Sequence, residues 1–73
     1  MTATSIARRI EDVTGTSFPN VNQLAKFFKK DNRKVIEFLD GLDTFEDGRQ
    51  HKYFSLDVAE RVIEKRTKGG FYQ

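Results

Sequence analysis

From Asn20 to Phe54 the chain reads NVNQLAKFFKKDNRKVIEFLDGLDTFEDGRQHKYF: two short helical patterns, a brief polar break between them, then an Asp-Gly turn flanked by aromatic segments. Few architectures accept that order. The break spans only about three or four residues, which forces the two helices to pack against each other as a helical corner. The turn that follows needs a residue tolerant of positive φ, and Asp47-Gly48 supplies one between strand-favouring Phe45, Tyr53 and Phe54. The expected fold is therefore mainly α with a small β-hairpin, a winged helix-turn-helix of four short helices and a two-stranded wing.

Local signals place the elements. Asn20 is a good N-cap, with Gln23 at the capping-box position three residues later, and Leu24, Ala25, Phe27 and Phe28 form the buried face of that helix. Phe27 and Phe28 share helical spacing with Leu24, so they read as core and not as a platform for stacking bases. Asp31 caps the next helix, with apolar positions Val35, Ile36, Phe38 and Leu39 and with Gly41 as its C′ residue. Strands are expected from Leu42 to Glu46 and from Gln50 to Phe54.

A leading helix over about residues 5–14, capped by Thr4 or Ser5, is expected to bury Ile6, Ile10 and Val13 and to stop at Gly15. Arg8, Arg9, Glu11 and Asp12 would face solvent. Ser55 is the expected cap of a closing helix with Leu56, Ala59, Val62 and Ile63 on one side, ended by Gly69-Gly70. Phe71-Tyr72-Gln73 completes a short tail over residues 69–73. Residues 1–73 thus form one domain, without repeats or linkers.

Seventy-three residues bury a modest core and leave little room for an enclosed catalytic pocket. Seven Phe and two Tyr dominate the apolar volume, and each fully buried Phe contributes roughly 2–3 kcal/mol. With no cysteine there is no disulfide and no thiolate metal site, which fits a reducing cytoplasm. No apolar run suits a signal peptide or a membrane span. His51 is the only histidine and lacks the partners of a metal or acid–base site. Ser5, Ser17 and Ser55 lack a nucleophile-elbow setting, and Gly69-Gly70 ends a helix where a phosphate loop would open one. No enzyme, cofactor or small-molecule substrate is expected.

Charge distribution is more informative than the net charge of +2. Lys26, Lys29, Lys30, Arg33 and Lys34 fall within nine residues, opposed there only by Asp31. Asn32, Arg33 and Lys34 occupy the first turn of the second motif helix, the part of a recognition helix that meets base edges. Asn pairs with adenine in a bidentate manner and Arg with guanine O6 and N7. Lys26, Lys29 and Lys30 would hold phosphates, as would Arg49 and Lys52 at or just past the wing tip. Glu60 and Glu64 offset the basic charge of the last helix at Arg61, Lys65, Arg66 and Lys68. A different class of function, a protein-interaction module such as an adaptor or inhibitor, would use the acidic run Glu37, Asp40, Asp43, Glu46 and Asp47, with the Phe71-Tyr72 tail as a further contact.

The run Asn20-Val21-Asn22-Gln23-Leu24-Ala25, then Phe27-Phe28, then Asp31-Asn32-Arg33-Lys34-Val35, resembles the small winged-helix proteins of the excisionase and MerR-like group. Gly48-Arg49, Tyr53-Phe54 and Ser55 extend the match, which covers about residues 18–66. The chain departs from that pattern at Lys29-Lys30, where the group usually has Gly followed by an apolar residue, and in its added leading helix. The resemblance implies cofactor-free binding of double-stranded DNA by the helix at residues 32–39 and by the wing around Arg49. It further implies a phage or mobile-element factor in the bacterial cytoplasm, acting in excisive recombination or transcription, with an integrase or recombinase or a second copy of itself as possible companions on DNA.

Overall fold

Thr2 opens the first helix. Its side chain accepts the Ser5 backbone N–H and the Ser5 side chain accepts the Thr2 N–H, a reciprocal box that starts α1 at Ala3 (Ala3–Thr14). The start lies before the expected cap at Thr4 or Ser5. A cap at Thr4 would place Ala7 at the returning position, and alanine has no side-chain acceptor to offer the N-cap. The computed structural model describes residues 2–65, so the expected Gly69-Gly70 stop and the Phe71-Tyr72-Gln73 tail lie outside the described residues.

Gly15 ends α1 in the left-handed region at φ 78°, donating its N–H to the Glu11 carbonyl. Ile6, Ala7 and Ile10 are buried, whereas Val13 is 64% exposed and leaves the apolar stripe one turn early. Glu11 is also not a solvent residue. The buried Ser55 hydroxyl donates to its carboxylate at 2.7 Å, tying α1 to the start of the last helix.

The connector after α1 runs beside the wing. Pro19 offers its carbonyl to the Tyr53 N–H, Ser17 offers its own to the Ser55 N–H, and Asn20 forms an antiparallel bridge with Lys52. Helix α2 (Val21–Phe28) then starts on the expected Asn20–Gln23 capping box. It ends at Lys29, which takes the left-handed conformation itself at φ 58°, ψ 43°, and the Lys30 N–H reaches back to the Ala25 carbonyl. The turn thus has the geometry that glycine usually provides, adopted by a lysine. Asp31 caps α3 (Asn32–Phe38) by accepting the Lys34 N–H.

Three expectations shift near α3. The helix stops at Phe38 with Leu39 as its C-cap, so Gly41 (φ 89°) serves the next turn and not the helix end. Arg61 explains the early stop: its guanidinium donates to the Phe38 and Asp40 carbonyls at 2.8 and 2.9 Å, satisfying acceptors that a further helical turn would have used. Ile36, expected in the core, is 53% exposed, because Val35, Phe38 and Leu39 already fill the inward arc.

The wing starts two residues later and ends one residue earlier than expected, while its first strand runs one residue further toward the tip. Strand β1 (Thr44–Asp47) pairs antiparallel with β2 (Gln50–Tyr53), with Asp47 opposite Gln50. The two loop residues are therefore Gly48 and Arg49, one place along from the expected Asp47-Gly48. Positive φ falls on Gly48 alone, as a II′-type hairpin requires of its first central residue. Phe54 has left the strand and supplies the first carbonyl of α4 (Ser55–Lys65) to the Val58 N–H. Ser55 thus sits inside the helix, its hydroxyl directed to Glu11 instead of capping. Leu56, expected on the apolar side, is 48% exposed.

Among the described residues the result is four helices and a two-stranded antiparallel hairpin, a winged helix-turn-helix arrangement. Helix α1 packs chiefly on α4, and α2 packs on α3 and α1. Ile6, Ile10, Leu24, Val35, Leu39 and Val58 are fully buried between them, joined by Phe28, Phe38 and Tyr53. At the base of the wing, Phe18 packs edge against face with Phe45 and with Phe54, and those two rings meet at a tilt of 41°, all outside this core with centroids 5.3–5.7 Å apart. That cluster fixes the hairpin to the connector. Aromatic pairs of this kind add about 0.5–1.5 kcal/mol beyond their buried area.

Candidate functional site

Three residues in the first turn of a helix cannot share one surface, since each step turns the side chain by about 100°. The structure shows the consequence for Asn32, Arg33 and Lys34. Asn32 leans to α2, where its amide nitrogen donates to the Asn22 carbonyl oxygen at 2.6 Å. Lys34 lies on the opposite flank, lining a groove with Glu37, Phe38, Asp40, Arg61 and Lys65. Arg33 stands between them, exposed, without a hydrogen bond or ion pair to the described residues. One turn on, Ile36 and Glu37 are exposed as well, so the outer face of α3 consists of Arg33, Ile36 and Glu37.

Lys29 and Lys30 are exposed in the turn between α2 and α3. Lys26 is exposed near the end of α2 and borders a shallow hollow with Val13, Thr14 and Gln23, on the flank nearest α1. The basic residues of this stretch are thus spread from the α1 flank of α2, through the turn, to the first turn of α3.

At the wing, Arg49 is half of the two-residue loop and is exposed at its apex. Lys52 is different. It lies three residues from the loop, opposite Phe45, and is half-buried where it bridges Asn20 at the end of the connector. The alternation of strand faces puts His51 opposite Glu46 on the other side of the hairpin. The wing thus brings forward one of its two expected cations, Arg49, and sets the other against its own base.

Between the wing and α2 the structure forms an open cleft of about 200 Å³ lined by Asn20, Val21, Asn22, Gln50 and His51. The Asn20 side chain donates to the Gln50 side-chain carbonyl at 3.0 Å, so the α2 cap and the wing are joined through amides. Together with the Asn22–Asn32 bond, this makes a ridge of uncharged donors and acceptors where α2, α3 and β2 converge. A search for charge passes over these residues. The available signal was the density of Asn and Gln at positions 20, 22, 23, 32 and 50, more amides than two helix caps require.

The acidic residues do not form one continuous face. Glu37 and Asp40 share their groove with Lys34, Arg61 and Lys65, while Glu46 stands on β1. Among the described residues no group of three or more His, Asp or Glu side chains is placed to hold a metal ion, and no helix is long and apolar enough to cross a membrane. Comparisons with protein-family models, with curated proteins and with solved structures gave no match to this chain.

Proposed function

We propose that this chain binds double-stranded DNA, with α3 entering the major groove and the wing touching the adjacent backbone or minor groove. The observation that carries the reading is Arg33. It is an arginine in the first turn of the second helix of a helical corner, exposed, with no bond to the described residues, followed in the chain by a hairpin with Arg49 at its apex. Arg33 reads bases with Asn32, and Ile36 lies beside them for apolar contact with a thymine methyl. Lys26, Lys29, Lys30 and Arg49 hold phosphates; Lys34 and Lys52 lie to the sides of the contact. Such a module acts as an architectural or regulatory factor, and the excisionase and MerR-like resemblance favours a role in recombination or transcription on a mobile element.

Fluorescence-anisotropy titration of random duplex DNA over a salt series tests the reading. Neutralised phosphates release counterions, so the expected result is an affinity that falls steeply and linearly on logarithmic axes, with a slope of about −0.9 per phosphate contact. Absence of binding at about 50 mM salt, where such contacts are strongest, would overturn it and favour a protein partner.

A further inference from the structure

We propose that Asn22 is a positioning residue that sets the orientation in which Asn32 meets a base; the proposal rests on the DNA-binding reading above. A side-chain amide has one carbonyl acceptor and two N–H donors, and a half-turn of the amide exchanges their places. The Asn32 nitrogen donates to the Asn22 oxygen at 2.6 Å. This bond holds the nitrogen on the α2 side and leaves the Asn32 oxygen and its second N–H free. That remaining pair matches the major-groove edge of adenine, whose N6 amino group donates and whose N7 accepts. With the amide reversed, the same two groups would present themselves in the opposite order.

Asn22 has no other duty in the described structure that explains its side chain. The α2 cap is made by Asn20 and Gln23, and Asn22 stands at the second helical position, exposed. Asn32 is exposed too, and its helix is capped by Asp31. An exposed amide–amide bond adds little to the stability of the free protein, because water competes for both partners. Once a duplex covers α3 and removes that water, the bond strengthens and decides which amide orientation the base meets. Asn22 would therefore act on sequence preference more than on folding or on total affinity.

The test is the relative affinity of the full chain for its selected duplex and for every single-base variant of it. Asn22→Ala is expected to reduce the adenine preference at the position read by Asn32 by about three- to tenfold, the value of one net hydrogen bond, with the salt slope unchanged. Asn22→Asp keeps an acceptor oxygen in the same place. It should retain the preference while its charge weakens binding to all duplexes alike. In the background of Asn32→Ala, removing Asn22 should change the preference no further.

A wild-type preference profile in Asn22→Ala would overturn the proposal, as would a uniform loss over all sequences, which would make Asn22 a backbone contact. Failure of the underlying reading looks different. In that case the wild-type protein binds no duplex, or Asn32→Ala leaves every base preference as it was.

Discussion

The two helix pairs of this chain put charged side chains to opposite uses. In the α1–α4 pair, charge turns onto the fold: Glu11 accepts the buried Ser55 hydroxyl, and Arg61 holds the carbonyls of Phe38 and Asp40. In the α2–α3 pair, the side chains of Lys26, Lys29, Arg33 and Lys34 are exposed and make no bond to the described residues. A basic residue near a helix end can complete the helix or wait for a partner, and composition does not distinguish the two. Arg61 and Arg33 are the clearest contrast, a side chain 16% exposed with two charge-assisted bonds beside one with none.

The largest expected effect comes from removing the inward arginine. Arg61→Ala leaves two carbonyls at the end of α3 without their donors and should cost about 2–3 kcal/mol. In a domain of this size that lowers the melting temperature by roughly 10–20 °C. Arg33→Ala should leave the melting temperature within a few degrees and instead weaken cognate DNA by about 1–3 kcal/mol. Thermal unfolding and duplex titration of the same two variants check the contrast. Equal losses of stability would abolish it.

Glu11→Ala tests the other inward charge. The Ser55 hydroxyl is buried and its partner carboxylate belongs to α1, so the substitution orphans a donor at the junction of two helices. The expected cost is about 1–2 kcal/mol, read from chemical denaturation. A Glu11→Ala, Ser55→Ala double variant should recover part of it, since removing both polar partners is far less costly than stranding one. No recovery would mean that the Glu11 effect has another origin.

Elements whose cause is local were legible in the sequence. The Asn20–Gln23 box, the Asp31 cap and the Gly15 stop each depend on atoms a few residues apart, and each stands where expected. What escaped depends on partners distant in sequence. Glu11 meets Ser55 across 44 positions, and Arg61 reaches Phe38 across 23, so neither duty leaves a local pattern. The wing turn moved by one residue because the strand register, and not the Asp-Gly pair alone, decides which residues are left unpaired. At the candidate site, helical rotation divides Asn32, Arg33 and Lys34 among three directions. The amides at Asn22 and Gln50 gain meaning only when two helices and a strand meet.

Lys29 stands between the two behaviours, since its backbone is strained while its side chain projects outward. Holding φ at 58° costs a non-glycine residue on the order of 1 kcal/mol. Lys29→Gly should therefore raise stability by about 0.5–1 kcal/mol. If the lysine also holds a phosphate, the same variant lowers duplex affinity and makes the salt slope shallower by about one unit. A gain in stability with an unchanged slope would assign the residue to the fold alone.

The smallest expected effect on stability carries the sharpest information about the outward face. An inward Ile36 would lose about 2–5 kcal/mol on truncation to alanine. The structure leaves it 53% exposed beside Arg33 and Glu37, so Ile36→Ala should change stability by no more than about 0.5 kcal/mol. If α3 lies in a major groove, Ile36 is the apolar residue placed to meet a thymine methyl, and the variant should lose preference for thymine over cytosine at one position while keeping its salt slope. A large loss of stability would return Ile36 to the core. An unchanged base profile would leave the outer face of α3 to Arg33, with Ile36 as an ordinary exposed side chain.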